Sequence, residues 1–117
     1  VKMFAEQPAI YLYRKPVYFR NAINGLSQIV DAQMNLSPFC GALFLFTNKA
    51  RNKLKLLYWD KTGFVLSYKQ LAKEKFKWPV NHTASQLEIT EEELNRLLDG
   101  FSTIGHQAIH CDGMYTA

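Results

Sequence analysis

A chain of 117 residues with 48% hydrophobic and 21% charged content can bury about two-thirds of its unfolded surface, which excludes a disordered chain and predicts one domain over 1–117. Two cysteines, Cys40 and Cys111, make no disulfide framework. The longest apolar run, 42–46, is far short of the roughly 20 residues of a membrane span. With no charged-then-apolar segment at its start, the chain is expected to be soluble and cytoplasmic, with no membrane partner. The net charge of +4 is unevenly spread: residues 1–81 hold thirteen Lys/Arg and four Asp/Glu, whereas 82–117 hold one Arg and six acids. A polyanion-binding face gives such a division, because neutralised phosphates release counterions; a solvated lysine-rich surface gives it equally well.

In chain order, 9–13 is a short apolar run closed by Lys15-Pro16, and it predicts a first strand. From about Arg20 the period changes. Ile23, Leu26, Ile29, Val30 and Met34 recur at helical spacing, with Gly25 tolerated where the helix approaches a sheet closely. Residues 42–46 are apolar on both faces and predict the central strand. The polar loop 47–52 leads to a hairpin. Leu54, Leu56 and Tyr58 alternate with Lys53, Lys55, Leu57 and Trp59, Asp60-Lys61-Thr62-Gly63 supplies the turn with Gly63 taking positive φ, and Phe64, Leu66 and Tyr68 return on one side. Residues 69–75 suit a helical turn with Leu71 inward, 76–78 is extended up to Pro79, and 80–86 is a loop. Thr90 and Glu93 form a capping box ahead of Leu94, Leu97 and Leu98, and Gly100 ends that helix. Residues 102–117 are expected to form an extended C-terminal arm. The fold class is α+β: an antiparallel sheet of four to six strands packed by two main helices.

Chemistry finds little support. Strand transfer by paired metal ions needs converging carboxylates, yet Glu91, Glu92 and Glu93 are explained by a helix start and Asp60 by a turn. Neither cysteine has an identifiable catalytic partner, so no catalytic residue is assigned and no enzyme is expected. His106, His110 and Cys111 lie close in sequence, but a fourth ligand would have to be Cys40 or His82 without supporting spacing; no metal and no cofactor are expected. Nucleic acid is the sharper expectation. Lys49, Arg51, Lys53, Lys55, Lys61, Lys69, Lys73, Lys75 and Lys77 crowd the hairpin and its flanks. Lysines suit phosphate as point charges, while Arg51 and Arg20 can make forked contacts. Trp59 and Trp78 are candidates for base stacking, although tryptophans at such positions are more often core residues. Arg20 is equally suited to a structural pairing with an acid such as Asp60.

Taken in order, Arg20, Ile23-Asn24-Gly25-Leu26, Pro38-Phe39-Cys40-Gly41, Leu43-Phe44-Leu45-Phe46, Lys55-Leu56-Leu57-Tyr58-Trp59-Asp60, Gly63-Phe64, Tyr68-Lys69, Phe76-Lys77-Trp78-Pro79 and Leu97-Leu98-Asp99-Gly100 form a pattern. It resembles the TnpB accessory protein of insertion-sequence-66-class transposable elements over roughly 9–101. The chain departs from that pattern at Tyr18 and Asn21, where the family usually has an acidic and a basic residue, and at Gln70, where arginine is frequent. The resemblance implies a role in DNA transposition beside a separate transposase, and beside another accessory protein. The expected function is a non-enzymatic factor that binds element DNA through phosphate contacts from a basic hairpin face. The alternative is an adaptor that docks on the transposase without touching DNA, using exposed aromatics and the acidic 88–99 helix. Exposed edge strands in a small sheet leave room for a homodimer.

Overall fold

The structure, a computed structural model, describes residues 8–71, 75–79 and 83–99. Among these residues seven elements follow one another: β1 (Ile10–Tyr13), α1 (Ile23–Ala32), β2 (Leu43–Thr47), β3 (Lys53–Asp60), β4 (Gly63–Gln70), β5 (Gln86–Ile89) and α2 (Glu91–Leu98). The five strands form one sheet in the order β4-β3-β2-β1-β5. β2, β3 and β4 are a meander, paired Leu45↔Leu56 and Leu57↔Leu66. β1 and β2 pair in parallel, Tyr11 opposite Phe44, because α1 intervenes and a helix can return the chain to a parallel neighbour. β5 then pairs antiparallel to the outer side of β1. The sheet is therefore mixed but mostly antiparallel, with two helices, as the α+β expectation required.

Each face of the sheet has its own core. Leu26, Val30 and Met34 of α1 and its C-terminal turn pack on Tyr13, Phe44, Phe46 and Leu57. Leu94 and Leu97 of α2 pack with Leu12, Leu45, Leu54, Tyr58, Phe76 and Trp78 on the other side. β2 is buried at all five positions, as a strand covered by a helix layer on both sides must be. Its one polar side chain, Thr47, is satisfied by donating to Lys53 O at 2.8 Å. The β3 alternation is realised as the sequence implies, with Leu54 and Tyr58 in the α2-side core and Leu57 in the α1-side core.

Four local expectations are corrected. Gly63 does not take positive φ; Lys61 does, at 53°, and the Thr62 N–H turns back to Asp60 O. Gly25 makes room for the side chain of Asn21 rather than for the sheet, since a Cβ there would meet Asn21 Oδ1 at 3.0 Å. Gln86, expected to end a loop, instead opens the edge strand Gln86–Ile89, whose Leu87 and Ile89 turn into the core. Residues 69 and 70 continue β4 rather than begin a helical turn. The stop at Gly100, the arm at 102–117 and the side chains of Lys73, His82, His106, His110 and Cys111 lie outside the described residues.

Candidate nucleic-acid interface

Strand direction decides where the charges go. β1 and β2 run parallel and finish at Tyr13 and Thr47, β3 starts beside them at Lys53, and β4 returns to finish at Gln70 opposite Lys53. One end of the sheet therefore gathers the exit of β1, the β2–β3 loop and the open end of the β3–β4 hairpin. Backbone bonds tie these segments together: Val17 N–H to Thr47 O at 2.8 Å, Leu71 N–H to Asn52 O at 2.8 Å and Phe76 N–H to Arg51 O at 2.6 Å. Arg14, Lys15, Lys49, Arg51 and Lys53 stand there, and Lys75 and Lys77 flank the anchored Phe76.

The opposite end carries Asp60 at the hairpin tip, Glu88 near the end of β5, and Glu91, Glu92 and Glu93 at the start of α2. Eight residues of β3 separate the two ends, about 24 Å at the usual rise of an antiparallel strand. Glu92 is taken by Arg96 on its own helix, 3.1 Å away, so it does not reach the basic end.

The residues singled out in the sequence divide accordingly. Lys49, Arg51, Lys53, Lys75 and Lys77 come together. Lys61, at the hairpin tip, lies at the acidic end beside Asp60. Lys55 is half-buried: its amine donates to Phe19 O and Asn21 O, both at 2.7 Å, and lies 4.6 Å from the Phe19 ring centroid. Burial first, and then the Lys53 charge, hold its pKa below the ordinary lysine value. Lys69 reaches across to Leu98 O at 2.7 Å, where a cation suits the negative end of α2. Arg20 lies over the Tyr18 ring, 5.7 Å from its centroid, rather than against Asp60.

Neither tryptophan presents a bare platform. Trp78 is 5% exposed, and its indole N–H donates to Tyr13 O at 2.9 Å. Trp59 is half-buried, edge-on to Phe64 and Phe39, both at 5.0 Å. Among the described residues the exposed aromatic rings are Tyr18, Phe39 and Tyr68. Arg14 and Lys15 were not singled out in the sequence, because the parallel pairing of β1 with β2 is what sets them beside the β2–β3 loop. The one signal was their position directly after the first apolar run.

Among the described residues, no three His, Cys, Asp or Glu side chains group as metal ligands, and no helix is long and apolar enough to cross a membrane. The described residues thus form a mixed five-stranded sheet with a helix on each face. The chain belongs to the family described as IS66 Orf2 like protein, which it matches over residues 8–108. The family associates it with transposition of insertion-sequence-66 elements as an accessory protein. It is also similar to the uncharacterized protein y4jC of Sinorhizobium fredii, 35% identical over 91 residues, covering 78% of this chain and 77% of that one. No solved structure matches the chain.

Proposed function

We propose that the protein is a non-enzymatic factor that holds element DNA during transposition through phosphate contacts from the basic end of its sheet. The observation that supports this is the segregation of charge along the strand axis. Arg14, Lys15, Lys49, Arg51, Lys53, Lys75 and Lys77 gather toward one end, where Asp99 closes α2 near Lys69, while Asp60, Glu88, Glu91, Glu92 and Glu93 lie toward the other. A polyanion is attracted to the first and repelled by the second, so it docks end-on rather than along the hairpin face. Lysine predominates over arginine in this set, which favours backbone contact over base readout.

Fluorescence anisotropy with element-end and scrambled duplexes across a salt series tests this. Both should bind, with affinity falling as salt rises. A Lys49→Ala/Lys53→Ala/Lys77→Ala variant should flatten the salt slope by about 3. Lys61→Ala should leave the slope unchanged. Absence of binding at low salt would overturn the DNA contact.

A second reading has its own observation. A groove of about 590 Å³ opens at the acidic end, lined by Ile10, Leu43, Ile89 and Leu94 with Glu88 and Glu91 at its rim. Apolar walls with an acidic rim suit a basic segment of the transposase, which makes the protein an adaptor. Pull-down with the transposase, repeated with Glu88→Lys and Glu91→Lys, separates this from DNA contact.

A further inference from the structure

Within the basic end lies a concave site that duplex DNA alone does not explain. Arg14, Pro16, Thr47, Lys49, Arg51 and Trp78 line a cavity of about 300 Å³. Three cations converge on it, and none of its walls is acidic. Its buried polar groups are already committed: Thr47 Oγ1 donates to Lys53 O and Trp78 Nε1 donates to Tyr13 O. The floor therefore makes no demand of its own on a ligand, while Trp78 and Pro16 screen the cations from part of the solvent and strengthen their field.

The side chain of Arg14 and the backbone of Arg51 are held in place. Arg14 donates from Nε to Ala84 O at 2.7 Å, which fixes the guanidinium and leaves its terminal amino groups without an acceptor among the described residues. Arg51 has φ of 62°, the left-handed region that glycine or asparagine normally fills. Its turn is locked by Asn48, whose Oδ1 accepts the N–H groups of Asn52 and Lys53 at 3.2 Å each and whose Nδ2 donates to Asn52 Oδ1 at 2.8 Å. An arginine kept at a strained position, with its side chain lining a basic cavity, points to function rather than to folding.

We propose that this cavity seats a phosphate monoester, and that the monoester is the terminal phosphate of a DNA strand. This rests on the DNA-holding reading above. Internal phosphodiesters lie on the convex surface of a duplex and carry one charge each. A strand end protrudes and carries close to two charges, as phosphate monoesters do near neutrality. It matches a concave site with three cations, two of them able to grip forked oxygens.

The test uses a hairpin duplex with one blunt end, labelled in its loop, bearing either a 5′-phosphate or a 5′-hydroxyl. The phosphorylated end should bind roughly tenfold tighter, the scale of one charge-assisted fork. Arg51→Gly should abolish that preference while its melting temperature stays level or rises, because glycine relieves the left-handed turn. Arg14→Lys, which keeps the charge but loses the fork, should reduce the preference. Lys75→Ala/Lys77→Ala should weaken both ligands equally and preserve it. Equal affinity of the wild type for the two ends would overturn the proposal, as would a preference that survives in Arg51→Gly. If neither duplex binds, calorimetry with thymidine 5′-monophosphate decides. Binding lost in Arg51→Gly would keep the phosphate seat but overturn both the strand-end assignment and the DNA reading. No binding would overturn the seat as well.

Discussion

At the scale of single residues, two lysines of the hairpin have jobs that their charge does not announce. Lys61 occupies the left-handed position of the β3–β4 turn, a conformation that costs a residue with a Cβ about 1–2 kcal/mol. Lys61→Gly should recover part of that cost, the rest being lost to the freer unfolded chain. The expected gain is up to about 1 kcal/mol, seen as a rise of a few degrees in melting temperature. A fall instead would mean that the lysine side chain supports the turn. Lys55 works inward, pinning the 19–21 connector to β3 through two carbonyls. Its amine titrates below 10.5 in the folded chain. Between that lowered value and 10.5 the unfolded chain binds more protons, so this residue's contribution to stability rises with pH through the window just under 10.5. Side-chain NMR titration should show Lys55 losing its proton before the exposed lysines, and Lys53→Gln should move it back up. A Lys55 that titrates with the others would contradict the burial.

At the scale of elements, α2 depends on its ends. It has eight residues, shorter than any helix stable alone in water. It is held by Leu94 and Leu97 in the core and by the reciprocal bonds Thr90 N–H to Glu93 Oε1 at 2.9 Å and Glu93 N–H to Thr90 Oγ1 at 3.1 Å. Thr90→Ala should cost about 1 kcal/mol. Amide exchange should rise first at 91–94, and a uniform rise along the chain would instead indicate global loosening. This element was legible in the sequence because capping is local: Thr90, Glu93 and three leucines state it within nine residues. β2 was legible for a similar reason, five apolar residues in a row. β5 was not, because four residues alternating as Gln86, Leu87, Glu88 and Ile89 are too few to show a period beside the loop that precedes them. Its strand character comes from pairing with β1, some 75 residues earlier in the chain. The hairpin showed the opposite balance, its faces legible and its turn chemistry misassigned by two residues, since Gly63 is the usual candidate for positive φ and Lys61 is not.

At the scale of the whole molecule, the basic composition was legible and its geography was not. The sequence groups Lys53, Lys55 and Lys61 by nearness along the chain, yet β3 carries them from one end of the sheet to the other. It also separates Arg14 from Arg51 by 36 intervening residues, and parallel pairing of β1 and β2 brings their segments to one cavity. Strand direction is a property of long-range pairing, so no local pattern reveals it. The result is a molecule with a basic end and an acidic end, and it makes an orientation measurable. Lysine acetylation followed by mass spectrometry, with and without duplex DNA at low salt, should show Lys49, Lys53, Lys75 and Lys77 protected in the complex. Lys61 should react at the same rate in both states, because it sits about 24 Å from Lys53 along β3 and beside Asp60. Protection of Lys61 together with the others would place DNA along the hairpin rather than across its open end. In that arrangement the acidic end would face the duplex, and the groove beside Glu88 and Glu91 would be hidden from the transposase. Reactivity retained at Lys61 leaves that groove open, so one molecule can hold DNA and a protein partner at opposite ends of one sheet.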